Sequence, residues 1–95
     1  MSDNLNKLIA EAKLAYLNAE VAYQSADIND KIMLQPKVEE AQELVEKLEA
    51  QQLKDGVVIT AADVAKMKEL REQINDAATL QQGLTKLISI LLTFV

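Results

Sequence analysis

Glu39, Glu43, Glu46 and Glu49 stand four, three and three residues apart. On a helix that spacing stacks carboxylates along one side. Di-metal bundles use such stacks, with the acids pointing inward and joined by Glu-x-x-His. The chain has no histidine, so the joining ligand and the commonest general base are both missing. These carboxylates also lie opposite the apolar positions Val38, Ala41, Val45 and Leu48, which marks a solvated face. Glu40 extends the same acidic surface. Asp27, Asn29 and Asp30 match the opening of a calcium loop. Such a loop needs glycine at its sixth place and glutamate at its twelfth, where Ile32 and Val38 stand. There is no cysteine, and Ser2, Ser25 and Ser89 have no histidine to activate them. Two isolated glycines cannot build a phosphate loop. Tyr16 and Tyr23, with Lys13 and Lys31 nearby, suit a ring-shaped ligand, but they fit better as wedges that fill gaps beside small residues. The expectation is a non-enzymatic chain with no cofactor and no metal site.

The totals point the same way. Ninety-five residues make one domain with a modest core. Apolar residues are 49% of the chain, too many for a disordered tail, and aromatic residues are only 3%. The core must therefore be built from Leu, Ile, Val and Ala. Net charge is −5. The close basic group Lys66, Lys68 and Arg71 is surrounded by Asp63, Glu69 and Glu72, so nucleic acid is not an expected partner. Anionic membrane is disfavoured for the same reason. The opening MSDNLNKL lacks the layout of a secretory signal. No window approaches the roughly 20 apolar residues of a spanning helix. A cytoplasmic location is the expectation.

The periodicity predicts an all-α chain: an antiparallel bundle of three long helices with coiled-coil-like packing. The first covers residues 3 to about 34. Its seam is Leu5, Leu8, Ala12, Ala15, Ala19, Ala22 and Ala26, and alanine along a seam lets another backbone come close. The second covers about 36 to 55. Pro36 suits its first turn, Lys54 its last turn, and Gly56 the position past its end. Residues 56–60 form a linker, and Val57, Val58 and Ile59 are expected to plug the bundle end. Thr60 and Asp63 read as a capping pair opening the third helix, about 61 to 94. Seven-residue repeats run along it through Met67, Ile74, Gln81, Ile88 and Val95, and through Leu70, Ala77, Leu84 and Leu91. Asn75-Asp76 and Gly83 weaken it, since glycine costs about 1 kcal/mol against alanine in a helix interior. Two forms stay open: one unbroken helix, which is favoured, or a break near 75–83 that makes a fourth.

Leu84, Leu87, Ile88, Leu91, Leu92, Phe94 and Val95 crowd the last stretch. At about 1.5 Å per residue, an unbroken third helix of roughly 50 Å overshoots a second helix of roughly 30 Å. The first helix carries a second apolar stripe opposite its seam: Leu14, Leu17, Val21 and Ile28. Three arrangements would hide these side chains: folding back into a four-helix bundle, packing between copies of the chain, or contact with a foreign protein or membrane surface. Self-association explains both stripes and ranks first. The chain then reads as a self-associating structural or adaptor subunit of a larger assembly, of the kind found among viral and bacterial accessory proteins. The alternative is an acidic inhibitor or immunity-like protein. It would block one protein target through Glu39, Glu40, Glu43, Glu46 and Glu49.

Overall fold

The computed structural model describes residues 3–53, 58–75 and 77–95. The expectations for Lys54, Gly56, Val57 and Asp76 lie outside these residues. Among the described residues the chain is all-helical, with four α-helices rather than three: α1 (Asp3–Gln24), α2 (Ile28–Ala50), α3 (Ala61–Gln73) and α4 (Ala77–Leu92). A 3-10 turn, Gln51–Leu53, extends the end of α2.

Two of the expected boundaries are wrong for identifiable reasons. The first helix stops at Gln24 and not near residue 34. Asp27 takes an extended conformation and its carboxylate accepts from the Asp30 amide at 2.9 Å, capping a new helix. The apolar repeat through Ala26 and Ile28 crosses this cap without being one helix. The second helix therefore begins at Ile28 and contains Pro36 in its interior. Proline there removes one backbone hydrogen bond. Pro36 is solvent-exposed, which leaves the freed carbonyl region open to water.

The third helix is broken. Ile74 leaves helical geometry at φ −90° and ψ 96°. The Asn75 amide donates to the Thr79 hydroxyl at 3.3 Å, tying the turn to the start of α4. The chain reverses there and α4 folds back. The capping box at the start of α3 forms as the sequence predicts. The Asp63 amide donates to Thr60 Oγ1 at 3.2 Å, and the Thr60 amide donates to Asp63 Oδ2 at 2.9 Å. Just before it, Ile59 is buried as a plug should be, whereas Val58 points to solvent.

Hydrogen bonds fix the helix directions. Asn4 Nδ2 donates to the Ile59 carbonyl and Asn18 Nδ2 to the Arg71 carbonyl, each at 3.0 Å. α1 and α3 therefore run parallel. Tyr23 donates to the Lys31 carbonyl at 3.1 Å near the α1–α2 turn. At the far end Gln52 donates to Asn6 at 2.7 Å, so α2 returns antiparallel to α1. Lys37 donates to Thr85 at 3.1 Å, linking α2 to α4. Around the bundle the order is α1, α3, α4, α2, and α2 and α3 are the pair furthest apart.

The core follows from the seam. Ala12, Ala15 and Ala19 are completely buried, and α1 packs most extensively on α3. Little side chain stands between those backbones, which permits the close approach. α4 contributes Leu80, Leu84, Leu87 and Leu91, all with no exposed area. Fully burying each is worth about 1.5–3 kcal/mol. This is the driving force for the reversal after Ile74. Gly83, in mid-α4, sits against Ile74, and a Cβ there would overlap the Ile74 side chain. The glycine is thus a point of close approach inside a continuous helix, and α4 shows no break at it.

Candidate protein-binding surface

α1 and α2 form an antiparallel hairpin whose outward side is a shallow cleft of about 230 Å³. Tyr16 and Leu17 line it from α1, and Gln42, Val45 and Glu46 from α2. One end is closed by an ion pair between Lys13 Nζ and Glu49 Oε2 at 3.3 Å. Val45 is buried, Tyr16 is half-buried and Leu17 is half exposed. The floor is therefore apolar and partly open.

Carboxylates stand on both walls. Burial raises the Tyr16 hydroxyl above its ordinary pKa, and the nearby carboxylates of Glu20 and Glu46 push it further in the same direction. One of those acids belongs to α1 and the other to α2, and Lys13, the cation that lines the cleft from α1, is held by Glu49. Glu43 pairs with Lys47 at 3.7 Å on the open surface, and Gln35 donates to Glu39 at 3.4 Å. Glu20, Glu40 and Glu46 form no ion pair among the described residues. Exposed pairs such as Lys47–Glu43 contribute little stability. The acidic face is therefore not explained as a brace for the fold.

Net charge is unevenly placed. Residues 1–53 hold ten acidic and five basic side chains, and residues 54–95 hold five of each. All of the −5 net charge thus belongs to the half of the chain containing the α1–α2 hairpin. The opposite cleft, between α3 and α4, is lined by Lys66, Glu69, Leu70, Lys86 and Ser89 among others, and mixes both signs.

The structure divides the expected self-association residues into two groups. Leu84, Leu87 and Leu91 lie wholly inside the chain's own core, and Ile88 and Phe94 are half-buried against it. Leu92 and Val95 stay exposed. The tail expected to need a second chain is thus largely satisfied within one. The second stripe is not. Leu14, Leu17, Val21 and Ile28 are 43–70% exposed, and Ile32 and Met33 join them at 67% and 57%. The stripe expected from the sequence ends at Ile28 and does not include these last two. Gln81, at an expected seam position, faces solvent, because the break at Ile74 resets the register.

The acidic residues lie where helical periodicity puts them. Glu39, Glu40, Glu43 and Glu46 are exposed and Glu49 is partly covered by its pairing with Lys13. Among the described residues no group of three or more acids converges as metal ligands would, and no polar side chain is buried. Asp27 caps α2, its carboxylate accepting from the Asp30 amide. No described helix is long and apolar enough to cross a membrane. Comparison with protein-family models, with curated proteins and with solved structures finds no match to this chain.

Proposed function

We propose that this chain works without catalysis, as a small helical module that binds another protein through the outer face of its α1–α2 hairpin. The observation that carries the reading is the exposure of Leu14, Leu17, Val21, Ile28, Ile32 and Met33 beside the unpaired acids Glu20 and Glu46. The core is complete without these apolar side chains. Apolar surface rimmed by polar groups is the common mark of an interaction site. Of the two readings drawn from the sequence, the acidic inhibitor or immunity-like protein gains support. The adaptor reading loses Leu84, Leu87 and Leu91 to the chain's own interior.

Self-association keeps one specific support, the exposed α1 stripe at Leu14, Leu17 and Val21. Light scattering after size exclusion, across a range of concentrations, separates the two. A 10.5 kDa species throughout supports a module for a foreign target. A multimer that persists on dilution, and that Leu17→Asp dissolves, would transfer the α1 stripe to an interface between copies and return the adaptor reading to first place.

A further inference from the structure

Seven-residue spacing extends the α1–α2 cleft beyond the residues that close it. Gln42 and Glu49 line its α2 wall, and Gln35 and Ile28 precede them at the same spacing. Glu46 lines it too, with Glu39 and Ile32 in the same register. On α1, Leu17 is followed by Gln24, and Lys13 by Glu20. By that spacing the same face of the hairpin runs on toward the α1–α2 turn, where Ile28 and Ile32 are exposed. From Ile32 to Glu46 the wall is about 21 Å long at 1.5 Å per residue. That is the length of about four turns of helix. Its floor at Tyr16, Leu17 and Val45 is apolar, and the same spacing sets Glu20 on the α1 side and Glu39 and Glu46 on the α2 side.

We infer that this cleft is the seat of a basic amphipathic helix from another protein. This rests on the protein-binding reading above and names the partner's chemistry. An apolar stripe at three- and four-residue spacing would lie on Tyr16, Leu17, Val45 and Ile32, the usual mode for a helix held in a groove. Lys or Arg on its two flanks would meet Glu20 on the α1 side and Glu46 on the α2 side, neither of which forms an ion pair among the described residues. Charge decides against a second copy as occupant. A two-fold interface sets the same patch against itself, so acidic rim would face acidic rim, and like-charge juxtaposition is costly. The α3–α4 face offers no remedy, because that half of the chain has balanced charge.

The test uses the intact chain and three model peptides of about 14 residues. One is built of Leu and Lys with an amphipathic helical pattern, one is its scrambled isomer, and one carries Glu in place of Lys. Binding is read by fluorescence anisotropy at physiological salt, and the site by backbone amide chemical shifts. The expected result is binding of the amphipathic basic peptide, with shifts centred on Leu17 and Val45. The scrambled isomer should bind at least about tenfold more weakly, which corresponds to about 1.4 kcal/mol. Glu39→Lys, Glu43→Lys and Glu46→Lys combined, on exposed positions that leave the core untouched, should cost a similar factor. So should Leu17→Asp, while Leu92→Asp on α4 should not.

Equal binding of the scrambled isomer would overturn the inference, since charge alone would then suffice. Shifts confined to α3 and α4 would overturn it as well. Failure of every peptide, with a multimer that Leu17→Asp dissolves, would refute the basic helix and leave the hairpin as an interface between copies. Failure of every peptide with a monomer that tolerates Leu17→Asp would sink the inference and its parent reading together.

Discussion

Gly83→Ala is expected to destabilise the fold, against the direction that helix propensity gives. In an exposed helix interior the change gains about 1 kcal/mol. Here the new Cβ would overlap Ile74 Cγ1 and come to 3.0 Å from Ile74 Cδ1. Ile74 is only 1% exposed, and a β-branched side chain has little freedom at χ1. It cannot swing away without displacing other core atoms, and overpacking of this kind costs about 1–3 kcal/mol. The net effect is a loss of roughly 1 kcal/mol, the overpacking less the propensity gain. The decisive arm is the same substitution on an Ile74→Ala background. Ile74→Ala alone should cost about 2–5 kcal/mol. In that background the methyl group introduced by Gly83→Ala enters vacated space, so the change should turn stabilising by up to about 1 kcal/mol. Urea denaturation of all four proteins, followed by helical circular dichroism, gives the coupling directly. Additive effects, or a stabilising Gly83→Ala in the native background, would refute the claim that the glycine admits Ile74.

Other outcomes follow from single contacts. Pro36→Ala should restore the missing backbone bond of α2 and raise stability by up to about 3 kcal/mol, seen as a higher denaturation midpoint with an unchanged slope. Thr60→Ala removes half of the α3 capping box and should cost about 0.5–2 kcal/mol. Amide exchange of Asp63, which donates to that hydroxyl, should accelerate. Tyr16 is raised above its ordinary value of 10.0, by burial first and by Glu20 and Glu46 next. Its contribution to stability is therefore complete below pH 10 and falls as pH climbs through the raised value. Alkaline unfolding curves of Tyr16→Phe should be flatter in that range than those of the parent.

The helical class, the alanine seam and the capping box were legible because each rests on local spacing. Leu5, Leu8, Ala12, Ala15, Ala19 and Ala22 are buried as the repeat predicts. The helix count was only partly legible: the break after Ile74 is the less favoured of two forms and the break at Asp27 is not foreseen, because both sit inside apolar repeats that run on across them. Ala26 and Ile28 keep the first repeat alive past Asp27. Ile74 and Leu84 keep the second alive past Asn75. Heptad spacing cannot distinguish a helix that continues from one that stops and restarts with part of the repeat intact, as Leu84 and Leu91 do while Leu80 takes the place expected of Gln81. What decides is the pairing of α4 with helices far away in sequence, and the burial of four of its five leucines. The acidic face of α2 was readable in full. The cleft beside it was not, because it needs the facing of α1, which sequence spacing does not supply.

The parallel packing of α1 on α3 makes each hairpin incomplete. α1 turns its alanine seam toward helices from the second half of the chain, and α4 turns its leucines toward helices from the first. A chain divided between α2 and α3 would yield two fragments, each showing water a face shaped for the other. Each would keep only a part of the shared core, so their structure would depend on association and on the concentration that it sets. The molecule is in this sense already a heterodimer whose two parts happen to share one backbone.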